Sequence, residues 1–122
     1  MKSFLLVFLG GGFGSGLRYL VTIAMNQYSK VFPFGTFTVN ILGCLLIGLV
    51  LGYAQKENTL TSNQTLLLAT GFCGGFTTFS AFANENLELI KNGEIFNLSV
   101  YIVGSVLIGI TAFLIGFYLT NR

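Results

Sequence analysis

Apolar residues along this chain fall into four long blocks separated by short polar pieces. The blocks run from about Phe4 to Met25, Phe34 to Ala54, Leu66 to Ile90 and Phe96 to Leu119. A helix crossing a hydrocarbon core of roughly 30 Å needs about 20 such residues, and each block is long enough. NQYSKVFP, QKENTLTSN and KNGE lie between them and have the composition of turns at a membrane surface. The pattern predicts an all-α membrane protein, a single four-helix transmembrane domain over residues 1–122, with both ends on one side. No Pro-rich, Ser-rich or charged linker marks a second domain, and four spans use up the length.

Composition agrees: 8% of the 122 residues are charged, against about 25% in soluble domains. His, Asp and Trp are absent from the sequence, which removes histidine-based catalysis, the usual transition-metal sites and Asp proton relays. No enzyme activity is expected. The opening MKSFLLVFLGGGFGSG has the outline of a signal peptide. The apolar stretch resumes past Arg18 with YLVTIAM, however, so cleavage at the glycines would leave half a span. Cys44 and Cys73 both fall inside spans, where small packing residues are the expected use.

Four spans place Lys2, Lys56 and Arg122 on one face and Arg18, Lys30 and Lys91 on the other. The Lys/Arg bias that orients a membrane protein is therefore missing. Either so few charges make the count uninformative, or the chain inserts both ways and pairs with an inverted copy of itself. Small residues four apart recur at Gly10/Gly14, Gly12/Gly16, Gly48/Gly52, Gly71/Gly75 and Ala112/Gly116. Such spacing lets helix backbones approach closely, where van der Waals packing drives association in lipid. GGGFGSG is no nucleotide fingerprint, since its glycine spacing differs and no strand precedes it.

Charges within the blocks are few. Arg18, toward the end of the first, is expected to snorkel or to cap that helix's C-terminus. Glu85 and Glu88, late in the third, read as solvated helix-end carboxylates. The neutral polar residues Thr36, Thr38, Asn40, Thr77, Thr78, Ser80, Tyr101 and Ser105 need partners in lipid, and together they suggest a polar track. The third block carries GFCGGFTTFSAF over residues 71–82. Gly74 and Gly75 disfavour a continuous helix there, and Thr77 and Thr78 compete for backbone hydrogen bonds. A break at that depth is tolerated only inside protein or beside a polar cavity; the alternative is a helix merely softened by glycine. Phe76, Phe79 and Phe82 recur at three-residue spacing and share a face if helix resumes. The bland use of such a stripe is packing. The sharper one turns the positive ring edges toward a small, hard anion.

GGGFGSGLRYL, GTFTVNILGC and GFCGGFTTFSAF together resemble the Fluc, or CrcB, family of fluoride channels, over three of four spans in the right order. The resemblance implies an antiparallel, dual-topology homodimer with two narrow fluoride pathways and a sodium ion at its centre. It implies that Asn40 is the amide donor of each pathway, that Phe79 and Phe82 turn ring edges to fluoride, and that Thr38 and Ser80 supply hydroxyls. Thr36 extends that track, and Tyr101 and Ser105 join it by placement alone. Gly74 and Thr77 fall where backbone carbonyls would coordinate sodium, Arg18 matches an arginine near the end of the first helix, and Glu85 matches a vestibule carboxylate. The function implied is passive fluoride export across a bacterial inner membrane, with lipid, fluoride, sodium and a second copy as partners. A proton-coupled multidrug exporter of similar size would need a first-span carboxylate, and none lies between Lys2 and Asn26. A non-transporting assembly subunit would leave the Asn, Thr and Phe constellation without a use.

Overall fold

A computed structural model describes residues 1–56 and 59–122. Helix α1 (Lys2–Met25) ends in a single 3-10 turn, Asn26–Tyr28, and α2 spans Phe34–Gln55. The third stretch is composite: α3 (Ser62–Thr65), a π-helical segment (Leu66–Cys73), α4 (Gly74–Phe76) and α5 (Phe79–Lys91). Helix α6 (Ile95–Asn121) closes the chain. Four stretches, Lys2–Tyr28, Phe34–Gln55, Ser62–Lys91 and Ile95–Asn121, are long and apolar enough to cross a membrane. Each contains one of the blocks visible in the sequence and extends it by a few residues.

Local chemistry sets the ends. Thr61 and Gln64 form a reciprocal capping box that starts α3: the Gln64 N–H donates to Thr61 Oγ1 at 3.1 Å and the Thr61 N–H to Gln64 Oε1 at 2.9 Å. Gly93, at φ +70°, makes the turn between α5 and α6, a backbone conformation that glycine adopts without a Cβ penalty. Ser29 Oγ accepts from the N–H groups of Val31 and Phe32, ordering the approach to α2.

Two helix pairs carry the packing: α2 lies along α6, and α1 lies along the π-helical segment and α4. Water gives no drive for apolar faces to meet inside lipid, so close backbone contact must hold the pairs. Gly10 and Gly14 turn toward the third stretch, and a Cβ on Gly14 would collide with the Phe72 carbonyl. Gly48 and Gly116 do the same between α2 and α6, against the carbonyls of Phe113 and Leu45. Gly12 and Gly16 face open space instead, so of the two overlapping first-span pairs only one joins helices within the chain. Val39, Ala69, Cys73, Phe76, Leu89 and Tyr101 are the buried hydrophobic residues, with Thr36 buried among them.

Two expectations change. Gly74 and Gly75 are themselves helical, and the extended residues are the next two after Phe76: Thr77 (φ −85°, ψ 156°) and Thr78 (φ −149°, ψ 122°). The Gly75 position is consumed by close approach to the backbone of Gly11, while the threonine side chains compete for the backbone. Arg18 lies seven residues before the end of α1 at Met25, too far to cap its own helix.

Candidate functional site

The extended pair Thr77–Thr78 redirects several backbone bonds. The Thr77 N–H and hydroxyl both donate to the Cys73 carbonyl, at 3.0 and 2.9 Å. A continuous helix would send the Thr78 N–H to the Gly74 carbonyl, four residues back. It goes instead to Asn40 Oδ1 on α2, at 2.7 Å, and Asn40 Nδ2 returns a bond to the Thr78 carbonyl at 3.0 Å. Likewise the Ala81 N–H, which a continuous helix would give to the Thr77 carbonyl, goes to Thr78 Oγ1 at 3.2 Å as the cap of α5. The Gly75 carbonyl is supplied from α1, by Arg18 Nε at 2.9 Å and the Ser15 hydroxyl at 3.3 Å. Arg18 thus has a structural role, with Gly75 rather than its own helix end as partner. The carbonyls of Gly74 and Thr77 are among those deprived of the N–H groups that a continuous helix would bring, their donors going to Asn40 and to Thr78 Oγ1.

Helix α2 presents Asn40 and Gly43 to this point, one turn apart. Gly43 has no side chain because the Thr77 methyl fills the space a Cβ would need. Beside them opens a cavity of about 370 Å³ lined by Asn40, Cys44, Gly74, Thr77, Phe79, Phe82 and Ser105 among others. The Asn40 amide has two N–H groups, and the Thr78 carbonyl takes one. The Ser105 hydroxyl, brought in from α6, is buried without a hydrogen-bond partner. Rings flank the space: Phe79 and Phe82 are stacked with centroids 5.5 Å apart, and Phe82 lies 4.9 Å from Tyr101.

A second cluster lies one turn along α5. Glu85 accepts from the Thr36 hydroxyl at 2.8 Å and from the Tyr101 hydroxyl at 2.9 Å. It also lines a polar cavity of about 590 Å³ with Asn26, Ser29, Lys30, Glu88, Asn92 and Glu94. Glu85 is therefore no solvated helix-end carboxylate. It stands one turn before Leu89, which is 4% exposed, and so shares the inward face of α5. Glu88 does face outward, 3.9 Å from Lys91.

The structure thus gathers Asn40, Phe79, Phe82, Ser105, Gly74 and Thr77 at one cavity, and sets the buried hydroxyls of Thr36 and Tyr101 on Glu85, which lines the other. Thr38 lies about 200° around α2 from both Thr36 and Asn40, off the face that carries them. Ser80 is exposed, with its hydroxyl 3.1 Å from that of Thr78. Two partners escaped the sequence reading: the Thr78 backbone, for Asn40, and Ser15, for Gly75. Both are ordinary residues whose use depends on which helix lies opposite. Asn86 was also overlooked; its Nδ2 donates to the Phe82 carbonyl at 3.0 Å and its Oδ1 is buried without a partner.

Four apolar spans around a polar, ring-lined interior define a multi-pass helical membrane protein. Residues 5–117 match the family model described as CrcB-like protein, Camphor Resistance (CrcB), and the chain belongs to that family. A protein of Phocaeicola vulgatus named fluoride-specific ion channel FluC is 49% identical over 122 residues, covering 99% of this chain and 100% of its own. One of the same name from Flavobacterium psychrophilum is 49% identical over 113 residues, covering 92% and 91%. A third, from Bacteroides fragilis, is 46% identical over 126 residues, covering 100% and 98%.

Proposed function

We propose that this protein is a fluoride-selective channel that passively exports cytoplasmic fluoride, and that it works as an antiparallel homodimer in a bacterial inner membrane. The observation that carries this is the buried, unpartnered Ser105 hydroxyl facing the same cavity as Asn40, Phe79 and Phe82. A buried hydroxyl without a partner costs about 1–3 kcal/mol, and a desolvated anion would recover that cost. The uncommitted Asn40 N–H is a second donor, and the ring edges of Phe79 and Phe82 carry weak positive charge. Among the described residues no Lys or Arg side chain lines that cavity, so the protein's own donors would hold an anion without trapping it, as conduction requires.

A second copy supplies what one chain leaves open. Phe79 is 73% exposed, and Gly74 and Ser80 are exposed beside it, near the middle of a span. Bare backbone and hydroxyls at that depth cannot face hydrocarbon, and the weak Lys/Arg asymmetry between the two sides favours an inverted partner over a parallel one. The carbonyls of Gly74 and Thr77 are hard oxygen donors freed of helical partners, which suits a sodium ion held between two copies; its charge would hold the facing backbones together. Ser80 adds an exposed hydroxyl beside Phe79, and Thr36 and Tyr101 carry hydroxyls on to Glu85, to which both donate.

Export needs no energy source of its own. Fluoride enters cells from acid surroundings as neutral HF and ionises at the higher internal pH, and the negative-inside potential then drives the anion out through a passive path. The test is reconstitution of the purified protein in liposomes, with efflux followed by a fluoride electrode and chloride as the parallel control. Fast fluoride efflux without chloride efflux is the expected outcome. No efflux from a well-folded dimer would overturn it in favour of an assembly subunit.

A further inference from the structure

We propose that Asn40, besides offering a donor to the anion, is the positioning residue that keeps the sodium site open. This rests on the assignment of sodium to the Gly74 and Thr77 carbonyls. The Gly74 carbonyl has one natural competitor for a cation, the Thr78 N–H, which a continuous helix would deliver to it. Inside a membrane that N–H must find some acceptor. Asn40 Oδ1 takes it at 2.7 Å, while Nδ2 holds the Thr78 carbonyl at 3.0 Å. One side chain on α2 thereby fixes both backbone groups of the residue on which the extended step turns.

The position of that clip is set independently of any ion. Gly43, one turn along α2, sits against the Thr77 methyl, and α2 is seated on α6 through Gly48 and Gly116. Without the amide, the acceptor left for the Thr78 N–H is the Gly74 carbonyl, and making that bond continues the helix and removes a cation ligand. The cation site and the unbroken helix thus compete for one oxygen, and Asn40 decides the competition.

Two substitutions separate this role from anion contact. Asn40→Asp keeps an acceptor for the Thr78 N–H but puts a negative charge on the anion path. Asn40→Ala removes both. The measurement is the thermal unfolding midpoint of the purified full chain in detergent against sodium concentration, without fluoride, ionic strength being held with N-methylglucamine chloride. In Asn40→Ala the half-maximal sodium concentration should rise about tenfold or more, the factor for one lost hydrogen bond of ~1.4 kcal/mol. In Asn40→Asp it should stay within about threefold of the parent while fluoride efflux from liposomes disappears.

A parent-like sodium dependence in Asn40→Ala would overturn the proposal, as would an Asp variant shifted as far as Ala. If Asn40→Ala yields no folded protein, the Asp variant alone decides: retained sodium stabilisation without efflux supports the clip, and lost stabilisation overturns it. Absence of any sodium dependence in the parent would overturn the sodium assignment itself, which distinguishes that failure from failure of the Asn40 role.

Discussion

Ser105 and Phe79 give the sharpest tests at the scale of single residues, because neither side chain has much to lose within one chain. The Ser105 hydroxyl has no partner, so Ser105→Ala should leave thermal stability unchanged or raise it by about 1 kcal/mol. If the hydroxyl serves an anion, the same change should slow fluoride efflux about tenfold, ~1.4 kcal/mol on the barrier. Unaltered efflux would remove Ser105 from the pathway. Phe79→Ile keeps bulk and apolarity on a side chain that is 73% exposed but deletes the ring quadrupole. Efflux should fall at least about tenfold while size-exclusion profiles still show dimer; normal flux would end the ring-edge idea. Asn40, Phe79 and Phe82 stood out in the sequence as polar and aromatic residues in apolar blocks; that they line one cavity only the packed helices show. The partners of Glu85 were not legible there: Thr36 is 49 positions away and Tyr101 16, and only the meeting of α2, α5 and α6 makes their hydroxyls donors to that carboxylate.

Helices are joined here by selected glycines rather than by all of them. Gly14 meets the Phe72 carbonyl directly, whereas Gly12 and Gly16 meet nothing. Gly14→Ala should force α1 away from the third stretch and cost about 1–3 kcal/mol, the range for overpacking, read as a lower unfolding midpoint in detergent. Gly16→Ala should lie within about 0.5 kcal/mol of the parent, as open surface sites do. Equal effects at both positions would mean that α1 packs through a different face. Spacing alone put the two overlapping pairs on equal footing, since small residues four apart look alike whichever side of the helix they lie on. Rotation of α1 about its axis is fixed by the third stretch, and no local feature of residues 2–25 encodes it.

For the molecule as a whole, orientation is the open quantity that charge controls. With Lys2, Lys56 and Arg122 on one side and Lys30 and Lys91 on the other, and Arg18 held at the Gly75 carbonyl within the bundle, small additions should tip the balance. Two lysines added at the C-terminus are expected to bias insertion toward one orientation and to lower fluoride efflux per mole of protein. Topology reporters fused to the parent should read on both sides. Unchanged activity in the lysine variant, with one orientation in the parent, would exclude an inverted pair.

The number of spans and their limits to within a few residues were determined by the sequence alone, because hydrophobicity summed over about 20 residues is a local property of the chain. The family was legible for the same reason, in contiguous runs such as GFCGGFTTFSAF. Tertiary structure decided where helix gives way to extended chain. The glycines at 74 and 75 stay helical, and the step falls at Thr77–Thr78, where Asn40, 38 residues earlier, bonds both backbone groups of Thr78. It likewise decided that Gly75 draws its donors from Arg18 and Ser15. In an apolar medium a polar group needs a partner within reach, and which partner is within reach is a property of helices packed side by side, not of the order of residues within one of them.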